Sequence, residues 1–88
     1  MQLRGSDLAD AALAVPLAML GIGESREVVG VRGGHGLRRR LADMGFAPGA
    51  VVGVLSDMGS AGPMMVRLGE GRLMLGRGVA RRVMVRPV

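Results

Sequence analysis

The sequence predicts a mainly β domain, a small and strongly bent barrel of five short strands with one inserted α-helix and short N-terminal helical segments. Short runs rich in valine, leucine and methionine alternate with turns that contain glycine or proline. A single stretch, residues 36–49, combines helical periodicity with its own stop signal. With 88 residues, the chain has room for one small domain with a modest core.

The first residues are predicted to precede that domain. Ser6 can cap a short helix over residues 7–14, and the aspartates in its first turns favour the helix dipole. Pro16 ends this pattern and can begin a second, shorter helical turn. We therefore expect an N-terminal leader, residues 1–15, followed by the domain, residues 16–88.

One internal helix is predicted over about residues 36–44. Leu37, Leu41 and Met44 have the i, i+4, i+7 spacing of a single apolar stripe. Gly45 lies where a left-handed C-terminal cap is needed, and the next residue, Phe46, can fold back on Leu41. Pro48 then prevents the helix from resuming.

Strands are predicted from valine-rich runs and from alternation of apolar and polar residues. In the last run, Val83 and Val85 point to one face and their neighbours to the other. Gly69-Glu70-Gly71 is typical of a tight hairpin, and residues 76–80 are predicted as a short connection with at most one helical turn. The five predicted strands are residues 26–32, 50–56, 64–68, 72–75 and 82–86.

Composition restricts the core and the partners. There is no cysteine, and Phe46 is the one aromatic residue, so the core must consist of valine, leucine, methionine and alanine, with the eight methionines as gap fillers. The net charge of +5 comes from 12 arginines, with no lysine, against seven acidic residues. A basic surface of this kind attracts an acidic protein, a nucleotide or a membrane face.

No catalytic constellation and no cofactor site are predicted. The lone histidine, His35, adjoins no serine, and the chain has no paired carboxylates at a recognisable spacing. As a metal ligand His35 is a weak candidate, because nothing near it supplies the other ligands. The glycines around it precede a helix but lack a phosphate-binding spacing, and turn geometry explains them.

Arg38, Arg39 and Arg40 are the best candidates for contacting a partner, either an acidic protein surface or nucleic-acid phosphates. The alternative is a solvated helix face partly paired with Asp43. Leu41 and Met44 are further candidates if they are partly exposed at the helix edge. The longest uncharged run, residues 11–23, is broken by Pro16 and is too short to cross a bilayer, so we expect a cytoplasmic protein.

Three blocks of the sequence resemble the FeoA family, the small accessory proteins of bacterial ferrous iron uptake. They are residues 36–49, residues 62–68, and residues 73–80 followed by Val83-Met84-Val85. The resemblance covers residues 16–87 and implies an SH3-like barrel without catalytic residues. It also implies a role in supporting FeoB, a membrane transporter with a cytosolic GTP-binding domain. It extends to the C-terminal SH3-like domain of iron- and manganese-dependent repressors.

Two functional hypotheses follow. In the first, the protein is a non-enzymatic adaptor that modulates the assembly or GTPase-coupled transport of FeoB. Its cleft between the helix and the barrel receives a segment of FeoB, and the arginines steer the approach. In the second, a basic SH3-like domain binds nucleic acid through the same arginines, although the aromatic residues that stack on bases are missing. Direct iron carriage, self-association and metal held between two subunits are weaker alternatives.

Overall fold

The computed structural model describes residues 13–59 and 61–87. The elements, in chain order, are strand β1 (Val15–Pro16), a 3₁₀ helix (Leu17–Met19), strand β2 (Ser25–Val31), helix α1 (His35–Asp43), strands β3 (Val51–Asp57), β4 (Met64–Leu68) and β5 (Gly71–Leu75), helix α2 (Arg77–Ala80) and strand β6 (Val83–Val85). All strand pairs are antiparallel, and they form one six-stranded sheet in the order β1-β6-β2-β3-β4-β5. The predicted mainly β fold is confirmed, with α1 inserted between β2 and β3, and the short connection predicted at residues 76–80 contains the one-turn helix α2.

Strand β2 is the point at which the sheet bends. Its first residues pair with β3, and from Val28 onward it pairs with β6. Register shifts between Val28 and Gly30, and between Val54 and Ser56 on β3, break the regular ladder. Such irregularities increase local twist, so one sheet can wrap around a single core.

The sheet differs from the prediction at its ends. Val15 and Pro16 form a two-residue strand paired with Val85 and Met84, which brings the number of strands to six. A two-residue strand is too short for any periodicity to reveal it. A closed barrel has no free edges, whereas the strand order leaves β1 and β5 at the two ends of this sheet. The helical turn expected after Pro16 is the 3₁₀ helix, whereas the leader helix over residues 7–14 lies outside the described residues except at its end.

The core is aliphatic around a single ring. Phe46 is 1% exposed and packs in a cluster of buried leucines and valines from both ends of the sheet. Among the described methionines, Met64 and Met84 are buried, as expected of gap fillers. Four others lie on the surface, and methionine there provides a flexible, adaptable apolar contact: Met19, Met44, Met58 and Met74.

Helix α1 ends as the sequence predicts. Gly45 has a φ of +106°, and its N–H donates to the Ala42 carbonyl at 2.9 Å. The Phe46 N–H donates to the Leu41 carbonyl at 2.9 Å. These two bonds form a Schellman motif, and buried Phe46 and Leu41 supply the apolar contact that accompanies it. The cap therefore fixes α1 to the core at its C-terminal end.

The β4–β5 hairpin has a two-residue loop between the paired residues Leu68 and Gly71. Gly69 in that loop has a φ of +60°, a conformation that favours glycine. On the outer face of the hairpin, Arg67 lies directly opposite Arg72, and both are exposed. Neither forms an ion pair with a residue that the structure describes. Like charges in this position destabilise a hairpin.

Replacing Arg72 with glutamate is therefore expected to stabilise the fold. The change turns a repulsive cross-strand pair into an attractive one and should raise the free energy of unfolding by about 0.5–1 kcal/mol. Urea denaturation measures it, with Arg72→Gln as the control that removes repulsion without adding attraction and should give a smaller gain. A lower midpoint for Arg72→Glu would contradict this interpretation of the hairpin.

Candidate functional site: a groove beside helix α1

A groove of about 310 Å³ lies between helix α1 and strand β2. Phe46 forms part of its lining and is itself buried, whereas Ala42 and Pro48 are exposed. Arg38 supplies the one charged side chain among the lining residues. The groove is therefore an apolar depression with a guanidinium beside it, and its lining consists of Gly30, Val31, Arg38, Ala42, Phe46, Ala47 and Pro48.

Local sequence features keep the two walls in place. Pro48 and Gly49 occupy the centre of a turn closed by the Ala50 N–H on the Ala47 carbonyl at 3.0 Å, with Gly49 at a φ of +94°. This is the type II arrangement, with proline before glycine. The Gly49 N–H also donates to the Val28 carbonyl at 2.8 Å. The segment after α1 is thus attached directly to β2.

Gly30 lines the groove on its β2 side. It follows the register shift after Val28, and a Cβ atom built on it would meet nothing within 4 Å. A larger residue at this position would therefore meet no clash in the fold.

The three arginines of α1 do not share one face. Successive helical residues are about 100° apart, so Arg38, Arg39 and Arg40 point in three directions. Arg38 lies on the same side as Ala42 and lines the groove. All three are exposed, and none forms an ion pair with a described residue, Asp43 included. The three guanidinium groups therefore surround the exposed part of the helix and do not form one basic face.

Leu41 and Met44 have different surroundings. Leu41 is 2% exposed and belongs to the core, so it offers no surface to a partner and instead anchors the helix. Met44 is 45% exposed at the C-terminal end of α1, so the predicted apolar stripe reaches the core through Leu37 and Leu41. Met44 is available for contact, on the flank of the helix away from Arg38.

His35 is the first residue of α1 and is exposed. Within residues 13–59 and 61–87, no group of three or more histidine, cysteine, aspartate or glutamate side chains is arranged to hold a metal ion. None of the helices in that part of the chain has the length and apolar character needed to span a membrane.

Sequence reasoning missed the role of Arg77. This first residue of α2 has a side chain only 9% exposed. It donates to the carbonyls of Gly62 at 3.0 Å, Ala18 at 3.4 Å and Gly59, and to the carboxylate of Asp57. One guanidinium thus joins the 3₁₀ helix, the end of β3 and the loop after it. Asp57 before a glycine-containing loop indicates a local turn, but nothing in the sequence pairs it with Arg77.

The pKa of the Asp57 carboxyl lies below its ordinary range. The hydrogen bond from Arg77 is the main cause, and the Gly59 N–H, which donates to Asp57 Oδ1 at 2.9 Å, adds to it. Partial burial of the carboxylate acts in the opposite direction but is outweighed. Asp57 therefore remains ionised in the fold at a lower pH than a free aspartate would, which keeps Arg77 paired.

The comparison with known proteins decides the family. The FeoA domain matches residues 15–87, which is most of the chain. The chain belongs to the FeoA family. Membership places it in ferrous iron transport and confirms the resemblance that its three sequence blocks indicated. No curated protein matches the chain at a significant level.

Solved FeoA structures are similar over nearly the whole domain. One, an iron uptake regulatory protein (FeoA), is 41% identical with a TM-score of 0.77, over 85% of this chain and 99% of that one. FeoA from Stenotrophomonas maltophilia, solved with zinc, is 30% identical with a TM-score of 0.72, over 82% of this chain and 89% of the other. It is described as a prokaryotic SH3 domain protein and a proposed ferrous iron transport activating factor.

A third structure extends the likeness beyond the FeoA family. A manganese-dependent transcriptional repressor is 21% identical with a TM-score of 0.75, over 85% of this chain and 42% of the repressor. At this identity the likeness concerns the fold alone. It agrees with the SH3-like barrel that the resemblance implies.

Proposed function

We propose that the protein is a non-enzymatic accessory factor that binds the cytosolic side of FeoB and modulates its assembly or its GTPase-coupled transport. Family membership supports the role in ferrous iron transport. The observation that carries the binding part of the proposal is the groove beside α1, which is apolar, open and flanked by the guanidinium of Arg38, with which no described residue forms an ion pair.

The groove fits a short apolar segment that carries an acidic residue. Ala42, Ala47 and Pro48 are small or rigid and leave room for an incoming side chain. Arg38 is placed to meet a carboxylate at the rim, where an ion pair in partly desolvated surroundings gives orientation and specificity. Arg39 and Arg40 point elsewhere and contribute to long-range attraction, which falls with ionic strength.

Reversing the charge at position 38 tests this function. Arg38→Glu is expected to leave folding intact, because the side chain is exposed, and to reduce co-purification with FeoB from membranes by about tenfold. The reduction should be larger at low salt. Arg39→Glu has the same change of net charge on the outward face and should have a smaller effect.

Equal co-purification of wild type, Arg38→Glu and Arg39→Glu with FeoB would contradict the proposal. Equal loss in both variants would indicate steering by net charge without a groove contact. A fluorescence titration with DNA and RNA at two salt concentrations distinguishes the nucleic-acid alternative, for which affinity falls steeply with salt and does not depend on FeoB.

A further inference from the structure

Strand β5 has backbone hydrogen-bonding groups without a partner among the described residues. It forms one end of the sheet and pairs with β4 on one side. In a hairpin with a two-residue loop, the flanking residues, Leu68 and Gly71, exchange hydrogen bonds, and alternate pairs follow. Arg72 and Met74 therefore direct their N–H and C=O groups away from β4, and no described backbone or side chain bonds to them.

The side chains beside this free edge are basic and apolar. Arg72 is exposed and Met74 is 53% exposed, and both lie on the outer face of the hairpin. Arg67 lies opposite the first and Met65 opposite the second. Two guanidinium groups without a described ion-pair partner thus adjoin two thioether side chains. We call these four residues, with the β5 backbone, the β5 edge.

We propose that the β5 edge binds an extended, acidic peptide segment of a partner protein by strand addition. The incoming segment becomes a further strand of the sheet and pairs with the free groups of Arg72 and Met74. A carboxylate of the segment meets Arg72 and Arg67, and an apolar residue two positions away meets Met74, because residues two apart share a face. The surface is distinct from the groove beside α1, so this inference does not depend on the proposed function.

Charge selects this occupant over a second copy of the chain. A symmetric pairing of two β5 strands would collect four arginines on one face of a continuous sheet, and like charges on neighbouring strands repel. An acidic segment instead relieves the existing repulsion between Arg67 and Arg72. Nucleic-acid phosphates would contact the arginines but would leave the alternating donors and acceptors of the edge unused.

A designed peptide tests the proposal. The probe is a fluorescein-labelled Thr-Val-Thr-Glu-Thr-Val-Thr, whose central glutamate has a valine two positions away on either side, so either strand direction fits. Anisotropy is measured with the full chain up to millimolar concentration. We expect saturable binding, with an affinity about tenfold lower for the matched peptide that has lysine in place of glutamate.

Two variants separate the backbone contribution from the charge contribution. Met74→Pro removes an outward N–H that β4 does not use, and proline is tolerated on edge strands, so the fold should persist. Arg72→Glu removes the charge complementarity and is expected to stabilise the hairpin. Each should weaken binding of the acidic peptide by about tenfold. Arg39→Glu on α1 changes the net charge by the same amount as Arg72→Glu and should weaken binding much less, because it affects only the long-range attraction.

Several results would overturn the proposal. They are absence of saturable binding, equal affinity for the acidic and lysine peptides, and wild-type affinity in a folded Arg72→Glu or Met74→Pro variant. Sedimentation without peptide provides another test, because a dimer that Met74→Pro converts to a monomer would assign the edge to a second copy. A labelled oligonucleotide that binds Met74→Pro as well as wild type and displaces the peptide would assign the arginines to phosphate.

Discussion

Replacing Arg77 with alanine is expected to lower the free energy of unfolding by about 2–4 kcal/mol. The guanidinium is mostly buried and joins three backbone carbonyls and the Asp57 carboxylate from separate parts of the chain. Its loss leaves these acceptors without their donor and releases the 3₁₀ helix from the loop after β3. For a domain of this size, the melting temperature should fall by about 10–20 °C.

Control variants separate the effect of the several hydrogen bonds made by the Arg77 guanidinium from the effect of its positive charge. Arg77→Lys keeps the charge but loses the planar fork, so it should recover a minor part of the stability. Arg39→Ala, an exposed arginine on α1, should change the melting temperature little. An Arg77→Ala protein that melts within a degree or two of wild type would show that the hydrogen bonds of Arg77 do not stabilise the fold.

The effect of the Arg77 substitution should depend on pH in a defined direction. Because the pKa of Asp57 is lowered in the fold, the stability that its ionisation contributes is complete above the pKa of the unfolded chain, about 3.9. It is lost as the pH falls through the lower, folded-state value. The difference in stability between wild type and Arg77→Ala should therefore be constant near neutral pH and shrink below about pH 4.

Replacing Gly45 with valine is expected to cost about 1–3 kcal/mol. The residue has a φ of +106°, which a β-branched side chain rarely adopts, and a Cβ atom there would lie 3.0 Å from Leu68 Cδ2. The strain acts on the Schellman motif that fixes α1 to the core and adjoins the groove. Thermal or urea denaturation measures the loss.

Gly36→Ala provides the matched control within the same helix. A Cβ atom at position 36 meets nothing within 4 Å, and alanine is a better helix former than glycine, so this change should raise stability by about 0.5–1 kcal/mol. The stability changes of Gly45→Val and Gly36→Ala should therefore have opposite signs. This would show that position 45 requires glycine for its backbone conformation, whereas position 36 does not. A Gly45→Val midpoint equal to that of wild type would mean that the cap is dispensable.

The fold could be predicted largely because its signals are local. Helix α1 has its apolar spacing and its stop within 14 residues, and the two seven-residue strands, β2 and β3, are valine-rich runs between turn residues. The predicted helix over 36–44 differs from His35–Asp43 by one residue at each end. Strand β1 was missed because pairing with β6, and no pattern of its own, makes Val15 and Pro16 a strand.

The adaptor hypothesis placed a cleft between the helix and the barrel, and a groove lies there with Arg38 in its lining. Its role in binding a partner stays a prediction. Helical geometry predicts that Arg38, Arg39 and Arg40 point in different directions. Which of the three side chains lines the groove depends on how α1 packs on β2. The ion pair between Arg77 and Asp57 joins residues 20 positions apart, and only the tertiary structure brings them together.

A crosslinking experiment tests the proposed groove most directly. The natural chain has no cysteine, so Ala42→Cys introduces a single thiol in the groove and Arg39→Cys a single thiol on the outward face of the same helix. With a short thiol-reactive crosslinker and membranes that contain FeoB, we predict a crosslink to FeoB from position 42 and little from position 39. A crosslink of equal yield from both positions, or from position 39 alone, would contradict docking in the groove.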